Sequence, residues 1–163
     1  MNVDQLNARA EGRLAGLVGL EVLEATQTRI RGALLVRPEL QAPTGFLHTA
    51  TIIAMLDTLA GYGAGMNMPD RAIGFTTIEV SSSFFGTARE GRVIGEAVPI
   101  HRGSTTQVWS ANCWREGDNK EIAVFRCTQM VLYPQRRGDH KEDWLQRERV
   151  SGHTVPSGAR GRA

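Results

Sequence analysis

Residues Gly45 to Gly65, GFLHTATIIAMLDTLAGYGAG, are apolar or small on nearly every side of a would-be helix and hold one acid, Asp57. From residue 40 to residue 69 that aspartate is the only formal charge. A helix apolar all round is a buried helix, so the rest of the chain must supply the surface that encloses it. A carboxylate inside such a helix is either satisfied by buried backbone or a partner subunit, or it is working. The helix is expected over about Thr49 to Ala64. Thr44 and Gly45 break the chain before it, Gly61, Gly63 and Gly65 loosen its end, and Pro69 forbids continuation.

The enclosing material reads mostly as strands. Residues 3–17 form the exception, an amphipathic helix with Leu6, Ala10, Leu14 and Leu17 about one turn apart and Gly19 as its stop. Residues 20–37 read as a hairpin that Pro38 ends, and residues 38–47 as a loop. After the central helix come four runs rich in β-branched and aromatic residues: Ile73–Phe85, Arg92–Arg102, Thr105–Arg115 and Glu121–Tyr133. Their short, turn-like links make them antiparallel neighbours. Pro99, late in its strand, marks an edge or a bulge. The fold class is α+β: about six antiparallel strands wrapped around one long central helix, with an extra N-terminal helix.

At 163 residues the chain fits one domain, taken as residues 1–134, with a core of real size. Residues 135–163 are polar and read as a mostly disordered tail with a short helix around Asp143–Arg149. The net charge of +2 belongs to that tail: it holds seven basic and four acidic residues, which leaves the domain near −1. The domain therefore offers no case for a nucleic-acid partner. No apolar run reaches the ~20 residues of a membrane span, and the N-terminus lacks a secretory h-region, so the expected compartment is the cytoplasm. Cys113 and Cys127 fall on consecutive strands, opposite Ala123 and Trp109 respectively. That register holds the thiols more than ~10 Å apart at the rise of a strand, too far to bridge. Neither cysteine has metal-ligand spacing, and no metal is expected.

Nucleophile-elbow, zinc, P-loop and dinucleotide-binding motifs are absent, which leaves Asp57. Its helical neighbours Ile53, Ala54, Ala60 and Gly61 are apolar or small and let backbone or ligand come close. His48 stands at the helix start, as a packed junction residue or as a site residue. It lies nine residues before Asp57, about half a turn round the axis, so the two side chains of one helix point apart. The free N–H groups of the first turn, near Thr49 and Ala50, suit a developing oxyanion, or are capped by loop groups or water. Thr76 and Thr77 offer hydroxyls on a strand beside the helix. The turn HRGSTT, residues 101–106, suits a phosphate or serves as a plain turn.

The arrangement resembles the hotdog fold, and within it the PaaI-type acyl-CoA thioesterases. The resemblance rests on GFLHTATIIAMLD, residues 45–57, against the family pattern G-x-x-H-G-G with an acid nine residues after the His. IGFTTIEVSSSFFGTAREG and IHRGSTTQVW also resemble the family, and the likeness covers roughly residues 15–133. It implies hydrolysis of an acyl- or aroyl-CoA to the free acid and CoA, with no cofactor beyond the CoA of the substrate. It implies Asp57 as nucleophile or general base, with His48 and Thr49 at the oxyanion end and Thr77 orienting the acid or water. Arg102, Gly103, Ser104 and Thr105, with Arg89 and Arg92, would hold the CoA phosphates. The sites would form across a homodimer, and dimers would pair into a homotetramer. Two departures stand out: Thr49-Ala50 replaces Gly-Gly, and Ala42 occupies the place of a carbonyl-polarising Asn or Gln, with Gln41 next door as its substitute. Two other functions stay open, a hotdog hydratase or dehydratase using His48 with Asp57, and a non-catalytic binder of acyl-CoA or acyl carrier.

Overall fold

The computed structural model describes residues 1–134. In chain order the elements are α1 (Val3–Ala10), α2 (Leu14–Leu17), β1 (Glu21–Ala25), β2 (Ile30–Leu35), a 3-10 turn (Pro38–Leu40), α3 (Thr49–Met66), β3 (Gly74–Phe84), β4 (Arg92–Arg102), β5 (Thr106–Arg115) and β6 (Glu121–Leu132). The strands form one antiparallel sheet in the order β1-β2-β4-β5-β6-β3. The chain leaves β2 near one edge, crosses the sheet face as α3 and returns as β3 at the other edge. The expectation for residues 135–163 lies outside the described residues.

The core explains the wrapping. Ile52, Met55, Leu56, Leu59, Ala60 and Ala64 of α3 are buried, against a sheet face built on period two by Trp109, Ala111 and Cys113 of β5 and Ala123, Phe125 and Cys127 of β6. The approach is close. A methyl group added at Gly63 would lie 2.4 Å from the fully buried ring of Trp109, and one at Gly95 would lie 2.7–2.9 Å from Met55, Leu56 and Leu59. Glycine at these positions lets helix and sheet meet over the apolar surface that drives folding.

The cysteine register is as the sequence implies: Cys113 pairs with Ala123, and Cys127 with Trp109. Both thiols are free and buried, and burial pushes them up to about 12 and about 11 respectively. Pro99 sits at a bulge in β4, beyond the Ala97 where β2 stops pairing, so no neighbour asks it for an N–H there. One element departs from the sequence reading. The helix expected over residues 3–17 is two helices, because Gly12 takes a φ of +66° and turns the chain. Leu14 and Leu17, which the spacing put on a packed stripe, are 60% and 70% exposed.

The two sheet edges differ. β1 is five residues long, whereas β3 runs for eleven, with Ile78 and Val80 54% and 45% exposed. A long edge with unpaired N–H and C=O groups and two exposed apolar side chains is a template for another strand. Gly63→Ala is expected to lower stability even though alanine is the better helix former by ~1 kcal/mol. Overpacking against an enclosed ring costs about 2–3 kcal/mol, so the urea midpoint should fall, with the slope of the transition unchanged.

Candidate active site

The N-terminus of α3 is held by the loop before it. Gln41 and Leu47 pair across that loop. The carbonyl of Leu40 accepts both the His48 N–H at 2.9 Å and the Thr51 hydroxyl at 3.2 Å. His48 is the N-cap, and its Nδ1 accepts the Ala50 N–H at 3.0 Å, so the neutral ring carries its proton on Nε2. The Thr51 and Ile52 N–H groups donate to the His48 carbonyl at 2.9 and 3.3 Å. Of the first-turn donors only the Thr49 N–H has no acceptor among the described residues. His48, Thr49 and Ala50 are all exposed.

Asp57 lies eight residues further along α3, about 12 Å along the axis. It is half-buried on the side that faces β3. There the Thr77 hydroxyl lies 3.4 Å from its Oδ1 and 3.0 Å from Oε1 of Gln129. A bulge in β3 between Thr77 and Glu79 adds a residue at this point, a device that re-aims side chains beside sites. Burial raises the Asp57 carboxyl above the usual carboxylate range, and the long bond from Thr77 only partly opposes it. A carboxylate raised in this way is a stronger base, once ionised, than an ordinary one.

The remaining residues of interest divide between the two ends of α3. At the N-terminal end, the Gln41 amide donates to the Arg89 carbonyl at 2.7 Å, and the Arg89 guanidinium lies 3.8 Å from the centroid of the Phe46 ring. Arg92 is paired with Glu21 at 3.0 Å and Glu116 at 3.8 Å. At the C-terminal end, Arg102 donates to Asn67, the C-cap of α3, at 3.1 Å. Next to it Gly103, half-buried, and the exposed Ser104 and Thr105 form the β4–β5 turn. The eighteen residues of α3 separate these groups by about 27 Å, so one chain does not bring Arg102 together with Arg89 and Arg92. Nor does it bring Thr49 to Asp57. Among the described residues no group of three or more His, Cys, Asp or Glu is placed to hold a metal, and no helix is long and apolar enough to cross a membrane.

Gln129 is the residue the sequence reading missed. It is fully buried, at 0% exposure, and bonded to Thr77. Its signal was available: Ala123, Phe125, Cys127, Gln129 and Val131 alternate along β6, and Gln129 is the one polar member of that buried row.

A family model described as the thioesterase superfamily matches residues 44–122, which take in α3 and β3 to β5. A Mycobacterium tuberculosis protein with a provisional esterase name is 31% identical over 94 residues, 56% of this chain and 67% of that one. The chain belongs to the thioesterase superfamily. The 1,4-dihydroxy-2-naphthoyl-CoA hydrolase of Escherichia coli is 26% identical over 116 residues, 71% of this chain and 85% of its own length. In fold, the crystal structure of a mutant of thioesterase PA1618 from Pseudomonas aeruginosa superposes with a TM-score of 0.76, over 81% of this chain and 94% of that one at 23% identity. The architecture is the hotdog fold, and this superfamily member is a thioester hydrolase.

The buried acid has a thermodynamic consequence. Its carboxyl is raised in the folded state, so the native protein holds this proton more tightly than the unfolded chain does. Stability tied to it is fully present below the unfolded pKa and is lost as pH rises through the folded pKa. Asp57→Asn is therefore expected to raise the urea midpoint at pH 7. That advantage should fade as the pH is taken down to about 4, near the ordinary carboxylate value.

Proposed function

We propose that the protein hydrolyses an acyl-CoA or aroyl-CoA thioester to the free acid and CoA, at sites shared by two chains. The observation that carries this reading is the separation on α3: a raised, half-buried carboxyl stands about 12 Å along the helix from the one first-turn N–H without an acceptor among the described residues. A thioester carbonyl needs both within bonding reach, so the second comes from a second chain. The unpaired edge of β3, which exposes Ile78 and Val80 and on which Thr77 lies beside Asp57, supports a two-fold partner joined there. The exposed Val98, Ile100 and Met130 support a further pairing of dimers into a tetramer.

In this scheme the Thr49 N–H of one subunit, backed by the helix dipole, receives the oxyanion. Asp57 of the other removes a proton from water as water attacks the carbonyl carbon, or attacks that carbon itself to give an anhydride that water then opens. The C–S bond breaks, and the CoA thiolate takes up the proton. His48 fixes the first turn through its bond to Ala50. Gln41 anchors the loop beside the acyl group through Arg89. The turn from Arg102 to Thr105 of one subunit, with Arg89 and Arg92 at the rim of the other, suits the CoA phosphates. The named activity of the Escherichia coli relative supports an aromatic acyl group. The two buried free thiols accord with a reducing, cytoplasmic setting.

Thiol release over a panel of acyl-CoAs tests the reading. Asp57→Ala should keep the fold and lower kcat by about 10²-fold or more. Tight binding of CoA esters with no thiol release would instead mark a binding module, and enoyl-CoA hydration would mark a hydratase. Thr49→Pro should remove the N–H at a position where proline suits a helix; His48, at φ −68° and ψ 136°, already has the backbone that precedes a proline. It should cost about 10²–10³ in kcat. Co-expression of the two inactive chains should restore about a quarter of wild-type activity, since half the dimers are then mixed and each holds one intact site. No recovery would overturn the shared site.

A further inference from the structure

The sheet face under α3 buries two glutamines, and they differ in how well they are satisfied. Gln107 accepts the Trp109 indole N–H at 3.1 Å and donates to the Asn67 carbonyl at 2.9 Å, closing the C-terminal end of α3. Gln129 has no comparable structural return. Its amide N–H finds only the Cys127 sulfur, at 3.4 Å, and its Oε1 takes the hydroxyl proton of Thr77 at 3.0 Å. A carboxamide buried on an apolar strand face is costly unless both sides are well bonded. Methionine would fill this space without that cost.

Thr77 has one hydroxyl proton and two acceptors, Gln129 Oε1 at 3.0 Å and Asp57 Oδ1 at 3.4 Å. Only the first distance is that of a full O–H···O bond. We propose that Gln129 is a positioning residue that draws the Thr77 proton away from Asp57, so that Thr77 turns a lone pair towards the acid and favours its protonated form. A continuous chain results: the Asp57 O–H donates to Thr77, Thr77 to Gln129, and Gln129 to the Cys127 sulfur. When Asp57 is ionised, Thr77 must leave Gln129 in order to donate to it. Gln129 thus competes with the carboxylate for one proton and keeps that carboxylate basic. The other titratable groups around the chain are Cys127 on β6 and Glu79 on β3. Burial, opposed by the bond from Gln129 and assisted by the charges of Asp57 and Glu79, pushes the Cys127 thiol up to about 11, so it stays neutral while Asp57 titrates.

The inference deepens the thioesterase reading, but its first test does not depend on turnover. In protein labelled with ¹³C at aspartate carboxyls, the Asp57 signal is assigned by its loss in Asp57→Asn and followed through a pH titration. Gln129→Met should shift the Asp57 midpoint to lower pH, because Thr77 is then free to donate to the carboxylate. In a Thr77→Val background the same substitution should shift nothing. If the methionine variant fails to fold, Gln129→Asn, whose oxygen is withdrawn by one methylene, should move the midpoint in the same direction. An unchanged midpoint in the threonine background, or an equal shift with and without Thr77, would overturn the proposal. So would an upward shift, which would mean that Gln129 donates to Thr77 and strengthens the bond to Asp57. With an acyl-CoA substrate, the acid limb of kcat/KM should follow the carboxyl midpoint, and kcat at neutral pH should fall by about 3–10-fold with KM unchanged. Absence of turnover in every variant would count against the thioesterase reading alone, since the titration reads Gln129 without it.

Discussion

The ring of Trp109 comes so close to α3 that only a residue without a side chain fits between them at position 63. That contact fixes how deeply the helix sits in the sheet, and the other placements follow. With α3 seated against β4 and β5, its Met55–Leu56–Leu59 face fills the hollow over Gly95, and the small residues Gly61 and Gly65 come to rest beside the Phe75 ring of β3. Asp57 is then left at the margin of the covered surface. It is deep enough to lose much of its water, yet open on the side where the sheet ends.

Two kinds of order meet at that margin. The interior holds apolar residues that could be exchanged for others of similar volume with modest loss. The polar groups are held in directed sets: Gln107 with Trp109 and Asn67 at the far end of α3, and Gln129 with Thr77 and Asp57 midway. The first set closes a helix end whose carbonyls would otherwise lack partners. The second leaves a carboxyl group under-satisfied in a place of low polarity. Proteins tolerate this where reactivity is gained from it.

Much of the fold was readable along the chain because the relevant signals are local. The strands kept period two, the links were short, and the turn at residues 117–120 set the cysteine register. The uninterrupted apolar run announced α3. Where a single backbone angle decided the outcome, spacing misled: Gly12 cut a helix whose leucines kept their period. Strand order was not local either. That β3, which follows α3, pairs with β6 at the far edge rather than with β4 is settled only by the whole sheet. This pairing brings Gln129 to Thr77, fifty-two residues apart. Asp57 stood out by charge alone, and Thr77 by resemblance. Gln129 stood out only as a break in the β6 pattern, visible once that strand is known to be buried on one side. The placement of Arg89 and Arg102 at opposite ends of α3 had no counterpart in the sequence, because it depends on the direction in which the helix crosses the sheet.

The Leu40 carbonyl is bound at once by the His48 N–H and the Thr51 hydroxyl, so the first turn of α3 is clamped to a point before the loop of residues 41–47 begins. Substitutions within that loop can reshape the room offered to a guest molecule while the clamp keeps the Thr49 N–H where it is. A lineage built on this plan can change its diet by drift in a few loop residues, without reinventing its chemistry each time.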